Sequence, residues 1–292
     1  GSVKVIAIIG ANGQLGTELV KRCNETGQAC VGLTHSDIEI TRYDEMQDIL
    51  DDVCHIGPHR EDPIVIVNTA AYHDLDGCER SPRKAWRVNA EGAANLAWWC
   101  NKTDAKLVHI STDYCAGTPT DASGLPLSVY AKTKLAGELA ALSICPDALV
   151  VRLGGLFGVA GCSGKPGKGN FIDTVVGKIK QQEPFALPKY TCVYFTSARQ
   201  AAAKIWGNLY ATGICYAVDD FIGDSHYAVG CDLCQMLRMD NKIQAVSIDS
   251  NDTLRPRCTD NKDGNHIIRP GGNQSLYESL YVYLKEKGHL DG

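Results

Sequence analysis

Tyr130 and Lys134 stand four residues apart in "SVYAKTKLAGE" (128–138), with no helix breaker between them. On a helix that spacing puts both side chains on one face, so an ammonium meets a phenol. A free phenol titrates near pH 10, and acting at neutral pH needs a shift of about three units, roughly 4 kcal/mol. A neighbouring cation supplies part of it. The same pair also fits an exposed amphipathic turn, so the surroundings must decide. "HISTDY" (109–114) ends an apolar stretch with two hydroxyls, Ser111 and Thr112. Open α/β sheets bind ligands at the carboxyl edge of their strands. A hydroxyl placed there can hydrogen-bond a carbonyl while Tyr130 delivers a proton.

A third element precedes both. "GANGQLG" (10–16) carries glycines at 10, 13 and 16, after the apolar run "VKVIAIIG" (3–10) and before a helical pattern with Leu15, Leu19, Val20 and Cys23 on one face. That is the setting of a dinucleotide fingerprint, in which helix N-terminal N–H groups face a pyrophosphate and a side chain at Gly13 would block its approach. The second strand ends in "GLTHSD", with Thr34, His35 and Ser36 first and Asp37 late. No acid stands at the tip to repel a 2′-phosphate, and His35 or Ser36 can contact one. NADPH is the expected cofactor, with NADH left open. Lys134 would anchor its ribose beside the phenol, and the cofactor would deliver hydride as Tyr130 delivers the proton.

Positioning these groups takes a particular order of elements. Strand-like runs at 3–10, 29–33, 63–68, 106–111 and 148–154 alternate with helical patterns at 43–53, 81–101 and 129–144. Ser81 before Pro82 reads as an N-cap with proline at the first helical position. The alternation predicts an α/β fold, a Rossmann-type doubly wound parallel sheet over residues 3–154. Residues 155–292 are expected to form mainly a smaller C-terminal substrate-binding lobe, with some elements returning to the first domain. It opens on a loop holding seven glycines in 17 residues (154–170), and includes a strand at 213–218 and a last helix near 275–287.

Composition narrows the classes. A formal charge of −5 argues against a nucleic-acid-coating surface or a polybasic membrane patch. No apolar run approaches the roughly 20 residues that span a bilayer. The Gly1-Ser2 start reads as a remnant of tag removal, no signal peptide is seen, and a cytoplasmic location is expected. Thirteen scattered cysteines fit buried thiols better than a disulfide framework. Cys231 and Cys234 read as two packed thiols in a helix. Asp219, Asp220 and Asp224 lack ligand spacing, so no metal is expected.

Together "GANGQLG", "LTHSDIEIT", "NTAAYHDLDGCE", "VNAEGAANLA", "LVHISTDY" and "SVYAKTKLAGE" cover residues 5–140 almost without a gap. This set resembles the extended short-chain dehydrogenase/reductases, and within them the dTDP-4-dehydrorhamnose reductases. The resemblance implies Thr112, Tyr130 and Lys134 as the catalytic triad. It implies Gly10, Gly13, Gln14, Leu15, Ala70, Ala71 and Tyr72 along the cofactor, with His35 in place of a basic residue often found there. Asp113 and Tyr114 would face the sugar. Asn89 would lie behind the site, or is simply a buried Asn bonded to backbone. The implied reaction is reduction of the C4 ketone of a nucleotide-linked 4-keto-6-deoxy sugar, by a protein that can form a homodimer. Departures are "CAG" after "STDY", a short 117–130 loop, Gly155 where the family often has a tryptophan, and "CTDNKDGNH" after Arg255-Pro256-Arg257. The regulatory β subunit of methionine adenosyltransferase, which looks like the same family, and a nucleotide-sugar epimerase remain alternatives.

Overall fold

A computed structural model describes residues 5–54, 63–117, 120–161, 169–182, 184–189, 193–218, 225–239, 243–246 and 275–290. Asp219, Asp220, Asp224, the Arg255–Arg257 element and residues 258–266 lie outside them. Six strands form one parallel sheet: β1 (Val5–Ile9), β2 (Cys30–Leu33), β3 (Ile64–Asn68), β4 (Lys106–Thr112), β5 (Leu149–Leu153) and β9 (Gly213–Tyr216). Their order is β2-β1-β3-β4-β5-β9. Every residue of β1, β3 and β4 is buried, because helices cover both faces; this is why those strands read as unbroken apolar runs.

One face packs on α2 (Tyr43–Val53), α5 (Gly92–Thr103) and α7 (Val129–Ile144) through Met46, Leu50, Leu96, Trp99 and Ala141. The other packs on α1 (Gln14–Thr26) and α9 (Ala198–Trp206) through Leu15, Leu19, Ala201 and Ile205. A third apolar cluster joins Phe157, Ile172, Val176, Leu233 and Leu280. It is built from α8 (Phe171–Gln181), α10 (His226–Leu237) and α11 (Leu276–Glu286). Two short parallel pairs lie in this part: β6 (Leu156–Phe157) with β8 (Thr196–Ser197), and β7 (Phe185–Pro188) with β10 (Ile243–Val246).

Three sequence expectations change. The single helix expected over 81–101 is α4 (Pro82–Trp86), a π-helical turn at Arg87–Glu91 and then α5, and a separate short helix, α3 (Leu75–Arg80), precedes it. Ser81 does stand before Pro82, yet its side chain makes no capping bond. The glycine-rich 154–170 stretch is not all loop, since β6 forms within it; residues 162–168 lie outside those described. A short helix, α6 (Tyr114–Gly117), follows β4 directly.

Candidate active site

At the end of β1 the chain turns through Gly10, whose φ of +81° is left-handed. A Cβ there would also stand 2.6 Å from Thr69 Oγ1, and one at Gly16 would stand 2.2 Å from the Gly10 carbonyl oxygen. Only glycine lets α1 start this close to the sheet. Gly13 is the N-cap of α1 and supplies no capping side chain. Gly10, Gly13, Gln14 and Leu15 line a cavity of about 690 Å³. A helix N-terminus without a side-chain cap, facing a cavity, suits a phosphate group.

The tip of β2 forms the adjoining wall, with Thr34, His35 and Glu39 in it. Asp37 is turned away: its Oδ2 accepts from Thr34 N at 2.7 Å and Thr34 Oγ1 at 2.6 Å. Those bonds, hydroxyl first, hold its carboxyl below the usual range. Glu39 is an acid that sequence reading missed here. Its Oε1 accepts from Thr41 N and Oγ1, and its Oε2 lies 3.9 Å from His35 Nδ1. Burial pushes this carboxyl up, but the Thr41 bonds and the nearby His35 and Arg42 outweigh it, so it stays ionised. Ala70, Ala71 and Tyr72, after β3, complete this end of the cavity. Asn68 and Asn89 fix them. Ala70 N donates to Asn68 Oδ1, while Asn89 accepts from Tyr72 N and donates to Tyr72 O and Thr133 Oγ1.

Thr112, Tyr130 and Lys134 line the same cavity. Ser128 caps α7 by accepting from Ala131 N, which sets the start of the helix that carries the tyrosine and the lysine. Burial, reinforced by Cys115, pushes the Tyr130 phenol far up, against an opposing hydrogen bond with Thr112. It is a neutral phenol, and so a proton donor. Lys134 is buried, and burial lowers its ammonium from 10.5 to about 8. Its Nζ donates to Ile110 O at 2.6 Å. The expected acidification of the phenol by Lys134 is therefore not present: the ammonium is engaged on the β4 backbone, and burial dominates the phenol.

Thr112 Oγ1 accepts from Tyr114 N, and the Tyr114 ring meets Tyr130 edge-on at 5.7 Å. Behind them, Ser111 Oγ donates to Glu138 Oε1, Glu138 pairs with Arg152 at 2.7 Å, and Arg152 donates to Tyr216 OH. Asp113 departs from expectation. Tyr114 is in the cavity wall, whereas Asp113 is buried outside it, its N–H donating to Leu153 O one residue beyond the β4–β5 ladder. Burial raises its carboxyl to about 7, against bonds from Thr112, Tyr194 and Tyr114.

Gln14 reaches past the glycine turn. Its Oε1 accepts from Gly158 N at 2.8 Å and Asn170 Nδ2 at 3.0 Å, tying α1 to the start of α8, which Asn170 caps. Asn170, Phe171, Phe195 and His226 line the far end of the cavity and were not anticipated. Only Asn170 had a local signal, as an asparagine just before an amphipathic helix. Among the described residues no group of His, Cys, Asp or Glu could hold a metal ion, and no helix is long and apolar enough to cross a membrane. Cys23, Cys30, Cys100, Cys115, Cys145 and Cys215 are free thiols. Cys231 is exposed on α10 rather than packed, while Cys234 is half-buried.

The family described as the RmlD substrate binding domain matches residues 4–251. A dTDP-4-dehydrorhamnose reductase of Mycolicibacterium smegmatis is 39% identical over 155 residues, 50% of this chain and 44% of that protein. A probable low-salt glycan biosynthesis reductase, Agl14, of Haloferax volcanii is 34% identical over 170 residues, 53% of this chain and 54% of that one. The chain spans about half the length of the curated relatives it matches. A dTDP-4-dehydrorhamnose reductase of Clostridium acetobutylicum shares the fold, at a TM-score of 0.79 and 24% identity over 97% of this chain and 99% of that one.

Proposed function

We propose, from the premise that this chain belongs to the RmlD substrate binding domain family, that it is an NADPH-dependent reductase of a nucleotide-linked 4-keto-6-deoxy sugar. The observation that carries the reading is that Thr112, Tyr130 and Lys134 line the same cavity as the Gly10–Gly13 cradle. When bound there, NADPH supplies the hydride for the carbonyl carbon at C4. Thr112 holds the carbonyl oxygen by a hydrogen bond, and Tyr130 gives that oxygen its proton as negative charge develops. Lys134, whose Nζ donates to Ile110 O, would hold the cofactor ribose. The catalytic assignments proposed are those the sequence suggests, Thr112, Tyr130 and Lys134, while of the two suggested sugar contacts Tyr114 is kept and Asp113 is not.

NADPH is preferred over NADH in this reading because Asp37 is occupied by Thr34, while the exposed His35 is available to a 2′-phosphate. Glu39, held by Thr41, is the feature that NADH would favour. We also read the protein as a homodimer working in the cytoplasm. The exposed Trp98 on α5 and Leu139 on α7 are the surface that supports a second copy.

The test is nicotinamide oxidation followed by absorbance, with dTDP- and UDP-4-keto-6-deoxyglucose as substrates. Steady oxidation by the native chain, with Tyr130→Phe slower by at least about a hundredfold and unchanged in NADPH affinity, is the expected result. Tight dinucleotide binding with no NADPH oxidation in the presence of either sugar overturns it.

A further inference from the structure

The end of the cavity away from His35 has an unusual composition. Gly154 and Gly155 follow β5 there with no side chains, and neither has room for one. A Cβ on Gly154 would lie 1.6 Å from Tyr194 O, and one on Gly155 would lie 2.9 Å from Val193 Cγ1 and 3.0 Å from Phe195 Cδ1. The segment just before β8 fills the space instead. Phe195 stacks on Phe171 at 5.2 Å, and His226 meets both rings edge-on, at 4.7 Å from Phe171 and 5.6 Å from Phe195. Phe195 is buried, whereas Phe171 and His226 are only partly so. One buried ring thus props two rings that face the cavity.

The wall adjoins the reacting end. Thr112 is the register partner of Leu153, and Gly155 lies two residues further along the same chain. A sugar whose carbonyl reaches Thr112 and Tyr130 therefore extends toward this wall. We infer that Phe171 and His226, positioned by Phe195, are specificity-determining residues that pack against the apolar C–H face of the substrate's sugar ring. An aromatic face suits that job, since pyranose carbons present a row of C–H groups while the hydroxyls point outward. The inference rests on the reductase reading and adds to it which side chains select the sugar.

The experiment is calorimetric titration of the NADP⁺-loaded protein, which cannot reduce the sugar, with dTDP-4-keto-6-deoxyglucose and separately with dTDP. Phe171→Leu and His226→Leu are the variants, chosen over Phe195 because both side chains are partly exposed. Each should weaken the sugar nucleotide about tenfold, leave dTDP within about twofold, and leave NADP⁺ affinity unchanged. Equal binding of the sugar nucleotide by variants and native protein overturns the inference alone. Equal losses for dTDP and the sugar nucleotide also overturn it, because the rings would then hold the base. No binding of either probe, or of UDP-4-keto-6-deoxyglucose and UDP, by the native protein overturns the inference and the reductase reading together.

Discussion

Two ionisable residues, Asp113 just after β4 and Lys134 on α7, are shifted in directions that make separate predictions. Burial drops the Lys134 ammonium to about 8, so its charge is present below that pH and lost above it. If that charge supports proton delivery by Tyr130, kcat/KM should be flat below pH 8 and fall about tenfold per unit above it. A kcat/KM profile that stays level to about pH 10 would show that the charge is dispensable. Lys134→Met should be slow at every pH. Asp113 behaves in the opposite sense. Its folded-state value of about 7 lies above the usual 3.8, so the folded chain holds this proton more tightly than the unfolded one. Its contribution to stability is full below pH 4 and falls as pH rises through 7, by up to roughly 4 kcal/mol. Asp113→Asn keeps an acceptor for the Tyr194 and Tyr114 N–H groups and removes the titration. Urea unfolding should find this variant more stable than the native chain at pH 8, with the gain largely gone at pH 5.

At the scale of elements, α7 must lie very close to the π-helical turn for Tyr130 and Asn89 to serve one cavity. Gly137 makes this contact possible, because a Cβ there would stand 2.3 Å from Asn89 O. In an unencumbered helix, Gly→Ala gains about 1 kcal/mol. Here it should instead lose about 3 kcal/mol by pushing α7 off the turn, and should weaken NADPH binding as Asn89 releases Tyr72. Thermal melts and a dinucleotide titration on Gly137→Ala would check both, and a more stable variant would sink the idea. The sequence showed α7 and its Tyr–Lys pair because a 3.6-residue period survives in local spacing. It showed β1, β3 and β4 because burial on both faces leaves continuous apolar runs. The π turn was hidden, since one inserted residue barely disturbs that period. Asp113 misled because the direction in which a chain leaves a strand depends on what it meets there. Glu39, Phe195 and His226 carry no local mark at all; the topology brings them to the cavity from separate elements.

Across the whole molecule, the cavity is bounded by parts that otherwise belong to different cores. The glycine turn and the tip of β2 come from the large sheet, while Phe171 and Phe195 belong to the third cluster and Asn170 and His226 stand at the starts of α8 and α10, which build it. Gln14 ties the two sides through Gly158 and Asn170, and Tyr283 on α11 extends the link by bonding Asn170 and Asp173. A ligand bound between them should therefore stabilise the chain as one cooperative unit. At about one hundred times its dissociation constant, NADPH should add about 2.7 kcal/mol. For a chain of this size that is a rise in Tm of roughly 4–5 °C. Scanning calorimetry should show a single transition that moves as a whole. Gln14→Ala removes two bonds that cross between the cores, so part of the third cluster should then melt separately, at a temperature that NADPH no longer raises. A Gln14→Ala melt that stays single and shifts with NADPH as the native one does would mean that packing alone couples the two cores. The Gln14 bonds would then serve only to position the cofactor turn.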